Sequence, residues 1–92
     1  MSDQHKILLL DDDQGLLALY REMLGRLPSR PLIYVATSGA RAISLLESES
    51  FSLLISDLNM PRMDGLQVLT IVRRKFPHLR TAVMTSVVDP QF

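Results

Sequence analysis

Four short, almost wholly apolar runs decide what this chain can become. They are Ile7-Leu8-Leu9-Leu10, Pro31-Leu32-Ile33-Tyr34-Val35-Ala36, Leu53-Leu54-Ile55 and Thr81-Ala82-Val83-Met84-Thr85. None alternates apolar with polar residues, as a strand with one wet face would. Continuous runs of this length are the pattern of strands covered on both faces, as in a parallel sheet. The segments between them carry helical spacing instead. In the first, apolar residues fall at Leu16, Leu19, Tyr20, Met23, Leu24 and Leu27, with Asp13 placed to cap the start and Pro28 to stop the end. Ser38 is placed to cap a second helix with Ala42, Ile43, Leu45 and Leu46 inward. Asp64-Gly65 opens a third, with Leu66, Leu69, Val72 and Phe76 inward. Its last turn, Arg73-Arg74-Lys75, puts positive charge at the negative end of the helix dipole, and Pro77 follows as the stop. The order β-α-β-α-β-α-β predicts a parallel α/β sheet with right-handed crossovers.

The chain has 92 residues, enough for one small domain with little spare core. Lys+Arg and Asp+Glu both number 10, so no net charge draws the chain to nucleic acid or to an anionic membrane. Cysteine is absent, which excludes a disulfide scaffold, a thiolate zinc site and cysteine catalysis. No run approaches the ~18 apolar residues that span a bilayer, and the polar Met1–Lys6 start is unlike a signal peptide. The expectation is a soluble, cytoplasmic protein.

Open parallel sheets build their sites beyond the carboxyl ends of the strands. Acids stand at two of those ends: Asp11-Asp12-Asp13 after the first run, and Asp57 after Leu53-Leu54-Ile55-Ser56. If the two strands are neighbours, Asp11, Asp12 and Asp57 converge. Like charges so close raise one another's pKa values unless a cation compensates. Hard carboxylate oxygens in such a cleft suit Mg2+, and a carboxylate can also serve as a nucleophile that forms an aspartyl phosphate. Capping needs only one acid; Asp13 takes that role for the first helix and Asp64 for the third.

The segment Ile55-Ser56-Asp57-Leu58-Asn59-Met60-Pro61-Arg62-Met63-Asp64-Gly65 resembles the phosphoacceptor segment of two-component response-regulator receiver domains. Leu-Leu-Leu-Asp-Asp-Asp at the first strand end is similar to the family's acidic pair, and the spacing between the two matches. The resemblance runs from the first strand to just past Thr85, so residues 1–92 are expected to form one receiver domain. It implies a flavodoxin-like sheet in the order 2-1-3-4 with three helices. It further implies that Asp57 accepts a phosphoryl group from a sensor histidine kinase or a phosphotransfer protein. Asp12 and Asp57 would bind Mg2+ directly and Asp11 mainly through water, with the backbone carbonyl of Asn59 completing the protein ligands. Thr85 would be the switch hydroxyl, while Pro61 and Gly65 would shape the loop. Asp57 is expected to be solvent-reachable, since a kinase must reach it. His5 and His78 are expected to be surface residues, and Met60 and Met63 to pack the loop.

The chain ends seven residues after Thr85, where the family continues through a fourth helix, a fifth strand and a fifth helix. A C-terminal truncation is therefore expected, without the family's strand-end lysine and aromatic switch residue. Phosphorylation should then be weak or transient. Self-association should follow, from a bared fourth-strand edge (Ala82, Val83, Met84) and an uncovered face holding Leu8, Leu10, Leu54 or Val83, or by exchange of the Val87–Phe92 segment. Two rivals stand beside this reading. One is a haloacid-dehalogenase-type phosphatase using Asp11 and Asp13 as its Asp-x-Asp pair. The other is a receiver fold kept only for interaction.

Overall fold

The computed structural model describes residues 4–57 and 65–84. In chain order they form β1 (Lys6–Leu10), α1 (Gln14–Gly25), β2 (Leu32–Ala36), α2 (Gly39–Ser48), β3 (Leu53–Asp57), α3 (Gly65–Lys75) and β4 (Arg80–Met84). The strands make one parallel sheet in the order β2-β1-β3-β4, the flavodoxin-like arrangement expected from the sequence. Leu10 stands opposite both Ala36 and Ser56, so β1 and β3 end side by side. Among the described residues, no helix is long and apolar enough to cross a membrane.

Because successive side chains alternate between the faces, the apolar runs fill two separate layers. Leu8, Leu10 and Leu54, each fully buried, pack with Ala42, Leu45 and Leu46 of α2 and Val68, Leu69 and Val72 of α3. On the other face, Ile7 and Leu9 pack with Leu17 of α1. That second layer is thinner. Its covering helix lies over β1 and β2, leaving Leu53 and Ile55 of β3 half-buried. The expected uncovered face is thus assigned differently. Leu8, Leu10 and Leu54 are sealed, whereas Val83 is 53% exposed as expected, and Leu19 and Met23 are among the other exposed apolar groups, at 50% and 58%.

Helix phase explains two further departures. In α1 the buried residue is Leu17, with Tyr20 and Leu24 half-buried beside it; Leu19 and Met23 fall off that face. In α3 the inward positions are Gly65, Val68, Leu69 and Val72. Leu66 lies one residue, about 100°, round from Gly65 and is 62% exposed. Both helices contain more apolar residues than one face can hold, so spacing alone did not choose between stripes.

The caps follow the sequence. The Asp13 carboxylate accepts the Leu16 N–H at 3.1 Å, and the Ser38 hydroxyl accepts the Arg41 N–H at 3.2 Å. A Cβ at Gly15 would come within 3.2 Å of Asp13 Oδ1, so glycine leaves the cap its room. Helix α1 ends at Gly25 rather than Leu27, because its last turn tightens into the short bonds Arg26 N–H to Met23 O and Leu27 N–H to Leu24 O. At the far end of the sheet, the Glu49 carboxylate bonds Lys6 Nζ and the Tyr34 hydroxyl, each at 3.0 Å. This clamp joins β1 and β2 to the end of α2.

Candidate functional site

The backbone brings three acids to one place before any side chain is considered. The Asp11 N–H donates to the Ala36 carbonyl at 3.2 Å, so the β1–β2 ladder continues one residue past the strand and holds Asp11 in line. Asp57 is the last residue of β3, paired in register with Met84. Asp12 follows on the exposed side of the bend. Carboxylate oxygens of Asp11, Asp12 and Asp57 all lie within 4.8 Å of one another. The Asp13 N–H donates to Asp11 Oδ1 at 3.0 Å and fixes that carboxylate.

The donor chemistry fits Mg2+. Octahedral Mg2+ holds oxygens at about 2.1 Å, so two directly bound oxygens lie no more than about 4.2 Å apart. A cluster spread up to 4.8 Å can share one such ion if one acid binds through water, the role the sequence reading gave to Asp11. Among the described residues the structure therefore joins Asp11, Asp12 and Asp57, and separates Asp13, which is occupied as a cap. Asn59 and Thr85 lie outside the described residues, as do Met60, Pro61, Met63, Asp64 and the Val87–Phe92 segment. His5 and His78 are exposed.

One expectation is corrected. Asp57 is only 2% exposed rather than open to solvent. Its strand is an inner one, flanked by β1 and β4, and the residue is still within the ladder. The exposed member of the cluster is Asp12, while Asp11 is 3% exposed. Sequence reasoning also passed over Ser56, a fully buried hydroxyl inside β3. The signal was there, as a single polar residue interrupting an apolar run.

Burial pushes the Asp11 carboxyl above its ordinary pKa, and the Asp57 and Asp12 charges push the same way; the Asp13 N–H bond opposes them. A folded-state pKa above the unfolded one favours the folded chain at acid pH, and that advantage is lost as pH rises through the raised value. At neutral pH the ionised Asp11 therefore costs stability. Asp11→Asn keeps an oxygen for the Asp13 N–H and removes the charge. It is expected to raise the melting temperature in Mg2+-free buffer at pH 7, to raise it less at pH 4, and to weaken Mg2+ binding. Thermal scans at the two pH values, with calorimetric Mg2+ titration, check this; an unchanged or lower melting temperature at pH 7 would contradict it.

Residues 7–92 match the family model for the response regulator receiver domain. The response regulator protein FleR of Pseudomonas aeruginosa is 41% identical over 81 residues, which are 88% of this chain and 17% of FleR. The chain thus spans less than a fifth of this curated relative. The solved response regulator TrrA of Thermotoga maritima, in complex with Mg2+-BeF, superposes with a TM-score of 0.85 at 27% identity, covering 91% of this chain and 71% of that one. A further match, in the complex of histidine kinase ThkA with TrrA, has a TM-score of 0.84 at 26% identity and covers 97% and 75% of the two chains.

Proposed function

Since the chain belongs to the response regulator receiver domain family, we propose that it accepts a phosphoryl group from a histidine kinase, or from a phosphotransfer protein, on Asp57. The observation that carries this reading is the convergence of Asp11, Asp12 and Asp57 at adjacent strand ends. A carboxylate oxygen of Asp57 attacks phosphorus. The P–O bond forms as the P–N bond to the donor histidine breaks, and the electron pair leaves with the imidazole nitrogen. Asp12 and Asp57 would hold Mg2+ directly, Asp11 would hold it through water, and the Asn59 carbonyl would complete the protein's share of the ligands. When bound, Mg2+ neutralises charge on the oxygens being transferred. The product carries about −1.5 to −2 charge and strong acceptors, to which the Thr85 hydroxyl donates. That local bond is the means by which phosphorylation biases a two-state element. The 92-residue chain also associates with a second copy of itself.

Two other readings weigh less. A phosphatase using an Asp11–Asp13 pair needs Asp13 free, yet its carboxylate caps α1. A receiver kept only for interaction is favoured by the burial of Asp57, and the phosphorylation test separates it. With radiolabelled acetyl phosphate and Mg2+, quenched at early times, the wild-type chain is expected to carry a base-labile label that Asp57→Asn lacks. Label retained by Asp57→Asn, or no label on the wild type at any time, would overturn the reading.

A further inference from the structure

Ser56 is fully buried, in a layer that is otherwise apolar. It stands opposite Leu10 of β1 and Val83 of β4, two places along from Leu54 and so on the same face of β3. A hydroxyl there is costly unless it is hydrogen-bonded, and alanine or valine would carry no such cost. Among the described residues, the Ser56 hydroxyl meets that need by donating to the backbone carbonyl of Asp57 at 3.1 Å. The bond falls on the peptide that leaves the strand, at the residue whose carboxylate joins Asp11 and Asp12. Holding that carbonyl restrains ψ of Asp57, and backbone dihedrals decide which side-chain rotamers are open.

We propose that Ser56 is a positioning residue for the acidic site, its hydroxyl fixing the Asp57 carbonyl and thereby the direction of the Asp57 carboxylate. The role rests on the reading of Asp57 as a Mg2+ ligand and phosphoacceptor. Ser56 itself touches neither ion nor phosphoryl group, and acts through Asp57.

The test compares the wild type, Ser56→Ala and Ser56→Thr, each as the full chain and each confirmed folded by circular dichroism. Mg2+ affinity is measured by calorimetry, and the initial rate of acetyl phosphate labelling at saturating Mg2+. Ser56→Ala is expected to bind Mg2+ about three- to tenfold more weakly, in line with one lost hydrogen bond. Its labelling rate should fall even when Mg2+ is saturating. Ser56→Thr, which keeps the hydroxyl, should restore both. Should the extra methyl of threonine prevent folding, Ser56→Cys, a weaker donor, is expected to fall between wild type and Ser56→Ala. A merely structural serine would lower the melting temperature of Ser56→Ala and leave the Mg2+ affinity and rate of the folded protein unchanged; that result overturns the role. Failure of the hydroxyl-bearing variant to rescue does so too. A wild-type chain that binds no Mg2+ overturns the site reading and this role with it, whereas tight binding by both wild type and Ser56→Ala removes only the role of Ser56.

Discussion

Asp12→Ala is expected to lose at least about tenfold in Mg2+ affinity and, with it, nearly all phosphoryl uptake on Asp57. The cause is geometric. Asp12 is the exposed member of a cluster whose other two carboxylates are buried. It is the carboxylate that an arriving hydrated ion meets first. Its removal also leaves Asp11 and Asp57 to repel one another with less to hold a cation between them. Asp13→Asn serves as the control, because asparagine caps a helix as well as aspartate and Asp13 is outside the cluster. It should bind Mg2+ as the wild type does. Calorimetric or NMR-monitored titration decides the point. Equal affinity in wild type and Asp12→Ala would remove the divalent site. Affinity should also fall on acidification, since binding requires ionised carboxylates and the Asp11 carboxyl is already raised by burial.

The strands and the acids at their ends were legible because each leaves a local mark, whereas the order 2-1-3-4 was implied only by the resemblance to the receiver family. Continuous apolar runs signal two-sided burial, and acids directly after such runs fall at strand ends whatever the helices do. Helix faces were less legible. The first helix carries leucines at 16, 17, 19 and 24, spread over more than one face, and only contact with Ile7 and Leu9 selects Leu17. Leu66 and Val68 traded places for the same reason. The burial of Asp57 was missed because its expected exposure was drawn from what a kinase must reach and not from the packing around the strand end. The Lys6–Glu49–Tyr34 clamp was hidden because its members are up to 43 residues apart.

The 92-residue chain is expected to sediment as a dimer at micromolar concentration. Among the described residues β4 is an edge strand. Ala82 and Val83 on it are exposed, the latter by 53%, and no charged side chain follows Arg80 within the strand. Natural edges are usually blunted by charge, proline or a bulge, and a bare one invites pairing. On the α1 side of the same sheet, Leu19 and Met23 are exposed and Leu53 and Ile55 are half-buried. Covering a few hundred Å2 of such surface contributes several kcal/mol at ~25 cal/mol per Å2. Micromolar association needs about 8 kcal/mol, so apolar burial alone falls short of it. Backbone bonds along a β4–β4 seam, each contributing about 1 kcal/mol net, make up the difference. With a formal net charge of zero, two copies meet no long-range repulsion. A two-fold axis through the seam closes the assembly at two. Val83→Lys places a charge in the seam and should return the chain to monomer with its circular dichroism intact. Sedimentation equilibrium of both proteins is the measurement. A monomeric mass for the wild type at tens of micromolar would refute the dimer, and a dimeric Val83→Lys would move the interface away from β4 to the α1 face.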